Sequence, residues 1–144
     1  MELVPGTGTI LLVDDQELVL DVCKDMLSML GYTVLTANNG LEAVAVFERN
    51  SVDLVVLDYI LPGMTGSEIF DRIRAIRADA CILVASGYSR DGLAGELLNR
   101  GCCGYLQKPY NILELSRKIR DVLEPPGERS LRACNVSSLP PAYP

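Results

Sequence analysis

Short apolar runs and amphipathic stretches alternate along the chain and predict five strand–helix pairs. Thr9 to Val13 (TILLV) is a continuous run of mostly branched apolar residues, as in a strand covered on both faces, and it ends at the acidic pair Asp14-Asp15. From Gln16 to Leu30, Leu18, Val22, Met26 and Met29 recur at helical spacing, flanked by Val19, Cys23 and Leu30. Gly31 stops the pattern as a C-terminal cap would. Tyr32 to Ala37 alternates and is β-branched, a second strand, and Asn38-Asn39-Gly40 turns it into a helix over Leu41 to Arg49. Leu54 to Leu57 is a third buried strand that ends at Asp58. Pro62-Gly63 and Gly66 then form a loop before the next helical pattern.

Ser67 to Arg77 predicts a helix with Ile69, Phe70, Ile73 and Ile76 on one face and Asp71, Arg72, Arg74 and Arg77 on a solvated face. Cys81 to Ala85 is a fourth strand, ending at Ser86-Gly87. Arg90 to Arg100 has helical spacing but contains Gly92 and Gly95, each costing about 1 kcal/mol relative to Ala, so a weak helix is expected there. Cys103 to Gln107 is a short fifth strand, Lys108-Pro109 a turn, and Ile112, Leu115, Ile119 and Val122 the stripe of a last helix. Regular alternation of strand and helix points to an α/β fold. Residues 1–8 read as an N-terminal arm and 9–123 as one domain. Residues 124–144, which hold five of the eight prolines, read as a flexible tail.

Composition narrows the function more than the fold. A net charge of -6 and the absence of histidine argue against a basic nucleic-acid surface and exclude histidine catalysis or ligation. No apolar run is long enough to cross a membrane, and the start lacks the basic and apolar regions of a signal peptide, so a cytoplasmic protein without membrane insertion is expected. Five cysteines without a C-x-x-C pair read as buried reduced thiols rather than disulfides or zinc ligands.

The candidate chemistry lies at the strand ends. In an open parallel sheet, ligands bind beyond the carboxyl ends of the strands, where Asp14, Asp15 and Asp58 would converge if strands one and three are neighbours. Three carboxylates so placed repel one another and recruit a cation. A hard ion such as Mg²⁺ prefers oxygen ligands and is typically held by one or two carboxylates plus a phosphoryl oxygen. Strands four and five end at Ser86 and Lys108, a hydroxyl and an ammonium that suit a transferring phosphoryl group.

With VDD at 13–15, LD and LPGMTG around Asp58, SG at 86–87 and Tyr105 followed by Lys108-Pro109, the chain resembles the receiver domains of two-component response regulators, the CheY-like family, over about Thr9 to Leu123. The resemblance implies a doubly wound five-stranded parallel sheet in the order 2-1-3-4-5. That order is the family's, since periodicity along a chain does not say which strands are neighbours. It further implies that Asp58 accepts a phosphoryl group from a phosphohistidine donor, a sensor histidine kinase or a histidine phosphotransfer protein. Asp15, Asp58 and the backbone carbonyl of Ile60 resemble Mg²⁺ ligands, with Asp14 acting through water. Ser86 and Lys108 would hold phosphoryl oxygens, Tyr105 would be the switch aromatic that turns inward with Ser86, and Pro109 would follow a cis bond. Such a domain modifies itself and turns over no separate substrate. Its readout would be contact with a downstream protein or a phosphorylation-dependent dimer, without direct nucleic-acid binding.

Around Ser86-Gly87-Tyr88 and Leu106 to Tyr110 the chain also looks like the C-terminal receivers of hybrid histidine kinases. Rival chemistries fit less well. A haloacid-dehalogenase-type phosphatase needs a second Asp where Ile60 stands, and a flavodoxin-like phosphate loop is incompatible with the acids following strand one. A phosphorylation-incompetent receiver serving as a scaffold stays open as the alternative.

Overall fold

β1 (Thr9–Val13), β2 (Thr33–Ala37), β3 (Leu54–Asp58), β4 (Ile82–Ser86) and β5 (Gly104–Gln107) form one sheet in the order β2-β1-β3-β4-β5. Every neighbouring pair is parallel. Among the described residues four helices accompany it: α1 (Glu17–Met29), α2 (Gly40–Arg49), α3 (Gly66–Ile76) and α4 (Ile112–Leu123). The computed structural model describes residues 8–59, 61, 63–86, 101–108 and 110–123. The helix expected over 90–100, residues 1–7 of the arm, the tail from 124, Ile60 and Pro109 lie outside the described residues.

The doubly wound arrangement follows from the period of two along each strand. Ile10, Leu12, Leu54 and Val56 pack with Leu20 and Leu27 of α1 and Leu115 and Ile119 of α4. Their neighbours Leu11, Val13, Val55 and Leu57 point the other way, onto Phe47 of α2 and Ile69, Phe70 and Ile73 of α3. Both faces of the sheet are thus covered, which is why the strands read as continuous apolar runs. Among the described residues no helix is long and apolar enough to cross a membrane.

Three helices begin on side-chain caps at the carboxyl side of the sheet. Asn39 accepts from the amide of Glu42 at 2.8 Å. Thr65 and Glu68 form a reciprocal capping box, and Asn111 and Glu114 exchange the same pair of bonds. Gly66 is required by a close approach: a Cβ there would fall 2.6 Å from Cδ1 of Tyr59 and 2.9 Å from its carbonyl oxygen. Gly31, past the end of α1, takes a φ of 113°, the left-handed conformation expected of a C-terminal glycine.

Four sequence expectations are corrected. The stripe Leu18, Val22 and Met29 does not face the core of the protein: these residues are 76%, 53% and 83% exposed, while Leu20 and Leu27 are buried. Because α1 is apolar on more than one side, helical spacing alone could not say which stripe the sheet would take. Ile76 is likewise exposed at the last turn of α3. Arg74 and Arg77 are more than a solvated face. Arg74 lies over the Phe70 ring and donates to the carbonyls of Ala80 at 2.8 Å and Gly101 at 2.9 Å, whereas Arg77 lies over Phe47 and donates to Val52. Finally, Cys81 and Cys103 are joined in a disulfide rather than reduced, while Cys23 and Cys102 are free thiols. The parallel pairing of β4 and β5 brings together two cysteines that are 22 residues apart in sequence.

Candidate functional site

Backbone bonds at the ends of the strands fix each candidate residue against a neighbour. The amide of Asp14 donates to Ala37 of β2 at 3.1 Å, that of Tyr59 to Ala85 of β4 at 2.9 Å, and that of Lys108 to Ser86 at 2.8 Å. The strand period then sorts the side chains. Asp58 continues the Leu54–Val56 face, the side of α1 and α4, and meets Asp14 and Lys108 there. Ser86 and Tyr105 continue the opposite face, where Tyr105 packs with the α2 and α3 core.

The three acids converge as expected. One ligand atom from each of Asp14, Asp15 and Asp58 lies within 4.8 Å of the others, with Asp14 and Asp58 buried and Asp15 exposed. Lys108 sits between the two buried acids, its Nζ 2.9 Å from Oδ2 of Asp14 and 3.0 Å from Oδ2 of Asp58. Burial pulls the ammonium toward its neutral form, but the hydrogen bonds and charges of the two acids outweigh it. The net shift is upward, so Lys108 remains a cation at neutral pH. Oδ1 of Asp14 accepts from the amide of Gln16 at 2.9 Å, which orients it at the start of α1. Ser86 is fully buried at the end of β4, and the Tyr105 hydroxyl donates to the Ser86 carbonyl at 3.3 Å.

Two neighbours of the acids were not singled out from the sequence. Cys23 of α1 and Tyr110, two residues beyond Lys108, are hydrogen-bonded to each other, and together with Asp14 and Asp58 they line a cavity of about 10 Å³. Burial, first of all, raises both the thiol and the phenol, so each keeps its proton at neutral pH. The signal for Tyr110 was its spacing from Lys108; nothing in the sequence marked Cys23. So small a cavity takes no substrate, and a reacting group must come from the open side. There a groove of about 780 Å³ runs along α1, lined by the exposed Leu18 and Val22 with Met26, Lys108, Tyr110 and Ile112.

A cluster of hard oxygen donors beside a fixed ammonium can hold a divalent cation and neutralise a phosphoryl group. Known proteins bear on this geometry. The chain matches the family model described as "Response regulator receiver domain" over residues 10–120. It is 40% identical over 116 residues to the transcriptional regulatory protein YvrH of Bacillus subtilis, covering 78% of this chain and 48% of that protein. It is 33% identical over 121 residues to the sensor kinase CckA of Brucella abortus, covering 83% of this chain but 13% of that protein. The solved CheY-like receiver domain from Methanospirillum hungatei JF-1 superposes with a TM-score of 0.75 at 30% identity, covering 88% of this chain and 99% of that one. The chain spans less than half the length of these two curated relatives, and it belongs to the response regulator receiver domain family of two-component systems.

Proposed function

We propose that this receiver domain accepts a phosphoryl group on Asp58 from a phosphohistidine of a histidine kinase or histidine phosphotransfer protein. The observation that carries the reading is the convergence of Asp14, Asp15 and Asp58 within 4.8 Å of one another beside the Lys108 ammonium. A carboxylate oxygen of Asp58 attacks phosphorus, the P–N bond breaks, and the imidazole leaves with the bonding pair and takes up a proton. Charge gathers on the phosphoryl oxygens during transfer, and Lys108, fixed within reach of Asp58, offsets part of it.

Mg²⁺ fits the donor set, because Asp15 and Asp58 offer hard oxygens and Asp14 can hold a bound water. When bound, the ion supplies charge neutralisation for the acids and the incoming group. The carbonyl of Ile60 would complete the proposed ligands. Ser86 would donate to another phosphoryl oxygen, and Tyr105, bonded to the Ser86 carbonyl, would follow its movement. Pro109 would direct Lys108 inward. The exposed apolar stripe of α1 beside the groove supports docking of a helical donor near the acids. Such a phosphorelay operates in the cytoplasm.

The test uses Mg²⁺ and a small-molecule phosphodonor such as acetyl phosphate, read by intact mass. Uptake of one phosphoryl group, removed by chelator and by Asp58→Asn, is expected. No uptake under these conditions would return the domain to the scaffold reading.

A further inference from the structure

The disulfide between Cys81 and Cys103 joins the chain just before β4 to the chain just before β5, with Cα atoms 5.8 Å apart. Beside it the amide of Cys103 donates to the Ile82 carbonyl at 2.7 Å, and the register then runs from Leu83–Gly104 to Ser86–Gln107. Among the described residues β5 is an edge strand of four residues whose only strand neighbour is β4. It carries Tyr105 and leads directly into Lys108. A covalent anchor thus lies at one end of a short ladder, and two groups of the proposed phosphoryl site lie at the other.

Cys103 is exposed and Cys81 half-buried. Cys102 stands outside the link: burial favours its protonated thiol, which donates to the Gly104 carbonyl at 3.5 Å. In a reducing compartment a disulfide is characteristically transient or redox-sensing rather than a permanent brace.

We propose that Cys81 and Cys103 form a reversible thiol–disulfide switch that sets how firmly β5 is held to β4, and through Tyr105 and Lys108 how fast Asp58 takes up a phosphoryl group. The second part rests on the phosphoacceptor reading of Asp58. A thiolate of an external dithiol attacks the sulfur of Cys103, the more exposed residue of the pair, and the Cys81 thiolate leaves and takes a proton. The second thiol of the reagent then breaks the mixed disulfide and releases Cys103 as a thiol. Two electrons and two protons pass from the dithiol, which becomes a cyclic disulfide, to the protein.

The experiment compares the whole chain after treatment with reduced or oxidised dithiothreitol, the reagent being removed before each assay. Reduction is expected to expose two more cysteines to alkylation and to speed amide exchange at residues 104–108 about tenfold, as a loosened edge strand opens more often. It should also slow phosphoryl uptake from acetyl phosphate severalfold, and reoxidation should reverse all three changes. Cys102→Ser should keep this response, and Cys81→Ser should behave as the reduced protein under both treatments. If Cys81→Ser fails to fold, the wild-type comparison decides alone. An unchanged alkylation count, or equal exchange in both states, would overturn the switch. Absence of uptake in both states with exchange still redox-dependent would overturn the Asp58 reading while supporting the switch in β5.

Discussion

The two ends of the sheet are built from the same five strands and solve different problems. At the carboxyl end, Asp14 and Asp58 are buried side by side with the Lys108 ammonium between them, an arrangement that stability alone would not favour. At the amino end, polar groups are matched to backbone. Asp53 accepts from the amide of Thr9 at 2.8 Å, Arg74 and Arg77 cover carbonyls while stacking on Phe70 and Phe47, and a disulfide ties β4 to β5. One end therefore concentrates like charge, and the other satisfies the groups that the strands leave open.

The sharpest way to break the comparison is Asp58→Asn. It should abolish phosphoryl uptake by intact mass and leave circular dichroism unchanged, because the amide keeps the shape of the acid. Undiminished uptake would remove Asp58 from the site.

Asp15→Asn should lose uptake through weaker Mg²⁺ binding, and its melting behaviour tests the charge argument directly. In chelator it should melt above wild type, one repelling charge having been removed. With Mg²⁺ at about 100 times its dissociation constant, wild type should gain about 2.7 kcal/mol and the variant much less, reversing the order. Identical melting of the two proteins in both conditions would contradict the picture of a mutually repelling acid cluster.

The opposite end should show the opposite signature. Arg77→Ala loses its hydrogen bond to Val52 and its stacking on Phe47, so urea denaturation should report a loss of about 1–3 kcal/mol. Uptake in the folded protein should stay at the wild-type rate; a loss of uptake without a loss of stability would mean that the two ends are not independent.

A smaller effect is expected from Asn39→Ala. Removing the cap of α2 should cost about 1 kcal/mol without changing uptake, although the cap lies at the same end as the acids. The division is therefore by side chain and not by location alone.

Much of this could be read from the chain itself. Continuous apolar runs ending in Asp14, Asp58 and Ser86 identify strands buried on both faces and the residues that leave them, because period and burial are local properties. The turn at Asn38-Asn39-Gly40 and the stop at Gly31 were legible for the same reason. What is not local needed the folded molecule. The order of strands in the sheet decided that Asp14, Asp58 and Lys108 meet and that Cys81 lies beside Cys103. α1 carries apolar residues on several sides, and only packing against the sheet selected Leu20 and Leu27 for the core while leaving Leu18, Val22 and Met29 facing outward. The arginines of α3 looked like solvated charges because a sequence shows which charges exist but not which carbonyls lie within reach. The residue types and their periods are written in the chain; their partners depend on contacts between segments far apart in sequence, and those are set by the packing of the whole sheet.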